Sequence, residues 1–246
     1  MKTDVRYTFG TGEIAADRLQ EISEFFNPLS TEFIRTHVGD QVGYVLDLGC
    51  GPGFTTAMLS GALQCERAFG LDTSRPFLEK AKRRFPHITF IAHDVTKTPF
   101  PIRADVIYSR FLLSHLKEVV NLVNRWLSEL HDGGTLIAEE LEGIDTALPV
   151  FQRYLTLNTG LVESQGAELY VGGRLAEGRY EARVVENEVM SAPVENYRAA
   201  TWFYPNTVSI WEQEEYILEY QQKHRQGLQH SPNLQRQQQH HGQYLE

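Results

Sequence analysis

The sequence lacks the features that would place it at once among disulfide-rich, metal-cluster or membrane proteins. It has two cysteines, Cys50 and Cys65, too few for a disulfide framework or a cysteine-based metal site. No apolar run reaches the roughly 18 residues of a transmembrane helix, and the start, MKTDVRYTFG, lacks the apolar core of a signal peptide. We therefore expect a cytoplasmic protein with no membrane partner and no metal.

Positive charge is also scarce. The 246 residues include 23 Lys and Arg against 32 Asp and Glu, a formal net charge of −9. The basic surface typical of nucleic-acid binding is therefore absent from the overall composition, and we expect no nucleic-acid partner. Hydrophobic residues make up 41% of the chain, which suits one globular domain with a substantial core.

The middle of the chain alternates between strand and helix patterns. Short apolar runs predict strands in YVLDLG, RAFGLD, ITFIAHD, ADVIYSR and DGGTLIAEEL. The intervening segments FTTAMLSGAL, SRPFLEKAKRRF and LKEVVNLVNRWLSEL predict helices, the second capped by Ser74 with Pro76 in its first turn. Strands separated by helices of this length indicate right-handed crossovers and a parallel sheet covered on both faces.

The two ends of the chain carry further predicted elements. An N-terminal helix places Ala15, Leu19, Ile22 and Phe26 on one face, and a second short helix is predicted to begin at Ser30 and Thr31. After Leu141 the pattern predicts a helix in TALPVFQRYLTLNTGLVESQG, a strand in YEARVVENEVM and a helix in TVSIWEQEEYILEYQQKH.

Three glycines follow the first predicted strand, in VLDLGCGPGFTT. Gly49, Gly51 and Gly53 lie at a carboxyl strand end, where open parallel sheets bind ligands, and their missing Cβ atoms permit a tight turn and close approach. The spacing is G-x-G-x-G, whereas a dinucleotide site uses G-x-G-x-x-G, so a nicotinamide dehydrogenase is disfavoured. Asp47 would be poorly placed beside a pyrophosphate and well placed near a cationic ligand.

Two further acids end the next two strands. Asp72, in GLDTS, is positioned to accept hydrogen bonds from both hydroxyls of a ribose. Asp94, in IAHDVTKTPFP, is positioned to meet an adenine amino group. With Asp47, these carboxylates describe a cationic adenosine ligand.

These motifs resemble those of class I S-adenosylmethionine-dependent methyltransferases. VLDLGCGPG, GLDTS, AHDVTKTPFP, ADVIYSRFLLSHL and LHDGGTLIAEE look like five family motifs in order, and the resemblance, closest to the small-molecule branch, covers roughly residues 7–141. It implies an α/β, Rossmann-like three-layer sandwich with a mostly parallel seven-stranded sheet, order 3-2-1-4-5-7-6, plus helical lid elements. AATWFY and the extreme C-terminus are both candidates for strand 7.

The resemblance also implies S-adenosyl-L-methionine as the cofactor and a small-molecule substrate, with the protein a monomer or homodimer. It implies an N-terminal helical cap (1–40), a cofactor-binding core (41–142), and a C-terminal part of the same domain with lid helices and the last strands (143–246). The cofactor-binding residues that it implies are Tyr7, Asp47, Gly49, Cys50, Gly51, Gly53, Asp72, Thr73, Asp94, Val95, Ser109 and Arg110.

Methyl transfer to an O, N or C atom asks the protein for orientation, shielding and, for a protic acceptor, a base. His115 is the candidate catalytic residue, with Glu139 and Glu140 as other candidate bases. The sequence after the fourth strand, SRFL, lacks an N-P-P-Y-type motif, which argues against base methylation. A cyclase-type or non-catalytic use of the same cofactor stays open as an alternative.

A lid hypothesis concerns the N-terminal segment. Residues 11–26, preceded by Tyr7 and Phe9, are predicted to cover the cofactor and to order when it binds. The alternative is that the apolar face of this helix docks permanently on the domain.

Overall fold

The computed structural model describes residues 12–39 and 41–202. In these residues, five strands form one sheet in which all four strand pairs are parallel, in the order β3-β2-β1-β4-β5. The strands are β1 (Tyr44–Leu48), β2 (Arg67–Asp72), β3 (Thr89–Ala92), β4 (Ala104–Arg110) and β5 (Leu130–Glu139). The helices are α1 (Glu13–His37), α2 (Phe54–Leu63), α3 (Arg75–Arg84), α4 (Val119–Leu127), α5 (Pro149–Ser164) and α6 (Gly172–Ala176).

The α/β class and the order of the first five strands agree with the prediction. Strands 6 and 7 are the difference, because the described residues contain five strands rather than seven. Residues 196–202, which include most of the candidate AATWFY, are helical, and the other candidate, the extreme C-terminus, lies outside the described residues. No strand forms in the described segment YEARVVENEVM either. Its Val184, Val185 and Val189 are exposed, and the segment pairs with no strand of the described sheet.

The alternation of side chains along β1 sorts the core into two layers. Leu46 and Leu48 pack on one face of the sheet with residues of α4, including the fully buried Trp126. Val45 points to the opposite face and packs with Leu59 of α2. Because successive strand residues alternate between faces, Asp47 lies on the α2 side with Val45. The sheet is therefore covered by helices on both faces, as the three-layer prediction requires.

One continuous helix replaces the two predicted at the N-terminus. α1 runs for 25 residues and contains Pro28, and Ser30 and Thr31 lie inside it rather than at a new N-cap. Ser30 is instead buried, and its hydroxyl bonds to side chains from the sheet. The first turns of α1 pack Ala15 and Ala16 on Phe77 of α3, and both the lid hypothesis and the docked-helix alternative stay predictions.

In the described part of the chain, no helix is long and apolar enough to span a membrane. Tyr7, Phe9 and the helix predicted in TVSIWEQEEYILEYQQKH lie outside the described residues.

Candidate functional site

The glycine loop between β1 and α2 is held against the end of β2. The amides of Gly49 and Cys50 both donate to the carbonyl of Leu71, at 2.8 and 3.0 Å. Gly49, Gly51 and Gly53 have φ of 68°, 51° and 88°, values that residues with a Cβ adopt only at a cost. The loop therefore requires glycine for its backbone conformation.

The three glycines differ in what a side chain would meet. A Cβ on Gly49 would lie 2.7 Å from Leu112, and one on Gly53 would lie 2.8 Å from Phe90, so both positions are closed by the protein itself. A Cβ on Gly51 would meet only Leu19, at 3.6 Å. Gly51 is therefore the position of the three at which backbone is left open for a ligand.

Asp72 at the end of β2 is fixed by backbone amides on both carboxylate oxygens. Gly51 donates to Oδ2 at 2.8 Å and Ser74 donates to Oδ1 at 2.7 Å. Each oxygen has a lone pair left, and the carboxylate borders the central cavity. Burial raises the pKa of Asp72 while the amides of Ser74 and Gly51 lower it, with a net rise. The geometry fits a carboxylate that accepts two hydroxyls of one ribose.

Asp94, after β3, is more exposed and is held by its own turn. Its Oδ1 accepts the amide and hydroxyl of Thr96, and its Oδ2 pairs with Lys97 at 3.0 Å. Burial raises the pKa of Asp94, but the Thr96 hydroxyl and Lys97 outweigh it, so the pKa lies below the ordinary value. Val95 next to it is buried, and its carbonyl accepts the indole N–H of Trp126 at 2.8 Å. The adenine end of the predicted site is thus anchored to α4.

Asp47 does not face the cavity. It is buried on the α2 side, where its Oδ2 accepts the hydroxyls of Thr55 and Thr56, both at 2.6 Å. Burial raises its pKa to about 6 in spite of these bonds. The described contacts tie the end of β1 to the first turn of α2, and a direct contact of Asp47 with a ligand remains a prediction.

The other predicted binding residues on this side fall into two groups. Cys50 and Thr73 border the cavity, although the Cys50 side chain packs in the core beside Phe90. Gly53 lies against the core residue Phe90. The Ser109 hydroxyl at the end of β4 is buried with no hydrogen-bond partner among residues 12–39 and 41–202, and Tyr7 lies outside those residues.

Arg110, the last residue of β4, links the sheet to α1. Its guanidinium donates to Ser30 at 2.9 Å and to Asn27 at 2.8 Å, with a longer bond to Ser23 at 3.4 Å. Ser30 in turn donates to Glu139 at 2.6 Å. Burial raises the pKa of Glu139, and Ser30 and Arg110 partly oppose the rise. The described bonds of Arg110 therefore hold α1 across the ends of β4 and β5.

Glu140, directly after β5, closes the loop that follows β4. Its Oε1 accepts the amides of Leu112 and Leu113, at 2.8 and 2.7 Å. His115 lies in the same loop, in a short 3-10 turn at Leu113–His115, and borders the cavity. Burial, together with the charge of Arg18, lowers the pKa of His115 to about 4, so its imidazole is neutral near pH 7. Such a group is a weak base.

We define an aromatic wall as Phe25, Phe26, Phe111 and Trp202. Phe26, Phe111 and Trp202 border the cavity, and Phe25 packs against Trp202. The Phe26 ring centroid is 5.1 Å from that of Phe111 and 5.9 Å from that of Trp202, and Phe25 lies 5.2 Å from Trp202. Phe111 has φ of 53°, a strained value for a residue with a side chain. The cavity contains about 2180 Å³, more than the roughly 300–1,000 Å³ of a typical small-ligand pocket.

Sequence reasoning did not identify Arg18 or the aromatic wall. Arg18 borders the cavity from α1, and its four-residue spacing to Ile22 and Phe26 is the signal that was available. A charged residue in line with an apolar helical stripe indicates a buried or functional position. Phe111 and Trp202 gave no such signal, because their meeting depends on the path of the chain after β5.

The fold defines a Rossmann-like protein whose cavity is bordered by the residues that follow β1, β2 and β3. The glycine loop, left open at Gly51, and the partly free lone pairs of Asp72 fit the nucleoside part of S-adenosylmethionine. Residues 45–134 match a family model described as "Methyltransferase domain". This match agrees with the resemblance of the sequence to class I S-adenosylmethionine-dependent methyltransferases.

Curated relatives carry the same kind of domain. A trans-aconitate 2-methyltransferase of Methylobacterium radiotolerans is 38% identical over 95 residues, which are 38% of this chain and 36% of that protein. One from an Enterobacter species is 31% identical over 121 residues, 49% of this chain and 48% of that protein. The matches thus span less than half the length of these two relatives.

Among solved structures, the YcgJ protein of Bacillus subtilis is similar with a TM-score of 0.47 and 21% identity, covering 61% of this chain and 65% of that one. That similarity is too low to add to the family match, and the fold assignment stands on the observed strand order.

Proposed function

We propose that this protein is an S-adenosylmethionine-dependent methyltransferase that acts on a small-molecule acceptor. The observation that carries the proposal is the pairing of Gly51 with Asp72. The Gly51 amide fixes one oxygen of a carboxylate whose remaining lone pairs border the cavity, and no side chain at Gly51 blocks the approach. This arrangement suits a ribose lying against the loop.

The order of the strands gives the cofactor a direction. Asp72 and Asp94 end β2 and β3, so the ribose and adenine lie over that half of the sheet. The reactive end then points past β1 towards β4 and β5, where the acceptor must lie. The predicted contacts come from the backbone of Gly49 to Gly51, from Thr73 and Val95, and from the carboxylates of Asp72 and Asp94.

The cofactor supplies an already activated methyl group, so the protein's task is to orient the acceptor and exclude water. At the ends of β4 and β5, hydrogen bonds hold Glu139 and Arg110 against α1. These bonds fix the positions of both side chains beside the proposed acceptor site. The aromatic wall covers this region with apolar surface, which excludes water and packs an organic acceptor. The two relatives compared above are named for a small organic acid, trans-aconitate, which supports a small-molecule acceptor here.

Calorimetric titration tests the cofactor, and transfer of a tritiated methyl group tests the activity. We expect S-adenosylmethionine and S-adenosylhomocysteine to bind and NAD not to bind. With the methyl donor, we expect label to appear in a member of a panel of small amines, alcohols and carboxylic acids. Tight NAD binding without a response to S-adenosylhomocysteine would contradict the cofactor. Binding without transfer to any small molecule would favour the non-catalytic alternative.

A further inference from the structure

The Glu140 carboxylate has one oxygen held by the protein and one oxygen left over. Oε1 accepts two backbone amides, from Leu112 and Leu113. Oε2 is buried and makes no hydrogen bond of normal geometry within the described ranges 12–39 and 41–202, although the Ser114 amide also lowers the pKa of this carboxyl group. A buried carboxylate oxygen without a partner is costly, because the lost hydration is not replaced. The protein thus fixes the orientation of Glu140 through Oε1 and leaves Oε2 without such a bond.

The place of Glu140 in the fold indicates which ligand. It follows β5, at the far edge of the sheet from Asp94, on the side to which the reactive end of the cofactor points. It borders the central cavity, as do Phe26, Phe111 and Trp202. A ligand that reaches Oε2 would therefore lie at the β5 side of the cavity, which these aromatic residues also border.

The charged and titratable groups around Glu140 come from three elements. Glu139, its neighbour in the chain, adds a like charge, while Arg18 of α1 and His115 of the 3-10 turn border the same cavity. Burial raises the pKa of Glu140 to about 7, although the amides of Leu113 and Leu112 oppose the rise. Glu140 can therefore take up and release a proton near neutral pH.

We propose that Oε2 of Glu140 accepts a hydrogen bond from an N–H or O–H group of the acceptor and takes that proton during methyl transfer. The acceptor is accordingly an aryl or other apolar molecule that carries an amine or hydroxyl, rather than a carboxylate, at the reacting end. This inference rests on the proposed function and narrows its substrate class.

Methyl transfer to the acceptor forms one bond, breaks one bond and moves one proton. The lone pair of the acceptor nitrogen or oxygen forms the new bond to the methyl carbon. The carbon–sulfur bond breaks and its electron pair stays on sulfur. The proton of the acceptor moves to Oε2 of Glu140, which later releases it to water.

A matched set of aromatic probes tests the binding part of this proposal without turnover. Phenethylamine, phenethyl alcohol and phenylacetate share an aryl anchor and differ in the head group. In calorimetry with the S-adenosylhomocysteine complex, we expect the amine to bind at least about tenfold more tightly than the carboxylate, with the alcohol between them. Tighter binding of phenylacetate, equal affinities, or no binding of any probe in the millimolar range would overturn the proposal.

The Glu140→Gln variant tests the same residue by an isosteric change. An amide oxygen can still accept the two amides of Leu112 and Leu113, while an NH₂ group replaces Oε2. We expect unchanged affinity for S-adenosylhomocysteine, loss of the preference for phenethylamine, and at least about a hundredfold lower kcat with an amine or hydroxyl acceptor. The rise in rate as pH increases through about 7 should disappear in the variant.

The exposed Glu163 of α5 provides the control. Glu163→Gln removes the same charge from the surface and should leave probe binding, rate and pH profile as in the parent protein. Retention of the probe preference and rate in a folded Glu140→Gln variant would overturn the proposed role of Glu140 and leave the proposed function standing. Failure of the parent protein to bind S-adenosylhomocysteine would instead count against the proposed function.

Discussion

The two halves of the sheet edge treat their carboxylates differently. At the ends of β2 and β3, the oxygens of Asp72 and Asp94 all accept bonds from the local chain or pair with a lysine. At the ends of β4 and β5, Glu139 is reached by Ser30 of α1, and Glu140 keeps one buried oxygen without a described partner.

The difference follows from how each half is built. The first half is made by short loops that follow their strands directly, so the amides that orient its acids come from close in sequence or from the neighbouring strand. The second half needs α1, which is far away in the chain, to reach Arg110. The first half can therefore be built from local sequence, whereas the second half depends on tertiary packing.

The largest expected effect tests the tertiary link of the second half. Arg110→Ala removes the bonds to Ser30 and Asn27 and the nearby positive charge that opposes the raised pKa of Glu139. We expect a loss of about 3–5 kcal/mol in the free energy of unfolding, measured with urea. Arg174→Ala, which breaks an exposed pair with Glu168, should cost less than about 1 kcal/mol. Equal losses would mean that α1 does not depend on Arg110.

A slightly smaller effect is expected at Asp47, with a sign set by pH. Because burial raises its pKa from 3.8 to about 6, the folded protein binds the proton more tightly than the unfolded chain does. The stabilising effect of the protonated form is present below about pH 4 and is lost as pH rises through about 6. The parent protein should therefore lose about 2–3 kcal/mol of unfolding free energy between about pH 4 and about pH 7 that the Asp47→Asn variant does not lose. The stability of the variant relative to the parent protein should rise by that amount over this range.

Urea unfolding at the two pH values measures this gain, with Asp17→Asn on the exposed face of α1 as the control. A gain of equal size in both variants would contradict the role of burial. If Asp47 also interacts with the cation of the cofactor, the Asp47→Asn variant should bind S-adenosylmethionine more weakly although it is the more stable protein.

The Gly53→Ala variant tests whether the loop between β1 and α2 requires glycine. Gly53→Ala places a Cβ at φ of 88° and 2.8 Å from Phe90, so we expect a loss of about 1–2 kcal/mol. Gly61 lies inside α2 with no atom near its hypothetical Cβ. Gly61→Ala should be neutral or stabilising by up to about 1 kcal/mol, since alanine favours a helix. Thermal unfolding of the two variants measures the contrast, and a Gly53 variant as stable as the Gly61 variant would refute it.

The smallest expected effect concerns cofactor affinity. Asp72→Ala removes the two proposed charge-assisted bonds to the ribose as well as the bonds from the Gly51 and Ser74 amides, and we expect at least about tenfold weaker binding of S-adenosylhomocysteine, about 1.4 kcal/mol. Calorimetry on the folded variant measures it, with Asp17→Ala as the matched surface change. Unchanged affinity would remove the ribose contact from the proposed site.

The parts of the fold that sequence could predict are those with a local cause. The segments RAFGLD, ADVIYSR and FTTAMLSGAL coincide with β2, β4 and α2, because each has a strong pattern bounded by a loop. The break predicted at Ser30 was wrong, since a residue that suits an N-cap also suits a buried bond to Glu139 when the partner is distant. The strand predicted in YEARVVENEVM failed for a related reason, because alternation does not supply a pairing partner.

The same distinction holds for the candidate site. The positions of Gly51 and Asp72 followed from strand ends and motif spacing, and the structure brings them together. The alternation of side chains along β1 already places Asp47 on the face of α2, although the motif spacing alone favoured a ligand contact. The environment of Glu140, with Oε1 bonded and Oε2 without a partner in the described part of the chain, depends on the turn after β4 and lay beyond any sequence pattern.

The continuous α1 helix has a consequence for how the two ligands influence each other. Its first turns contact α3 through Glu13 and Lys80, and its middle bonds to Arg110 beside the acceptor region. A helix does not stretch, so a displacement that one ligand imposes at either place is carried to the other. The affinities for cofactor and acceptor are then thermodynamically linked, and each ligand must change the affinity of the other by the same factor.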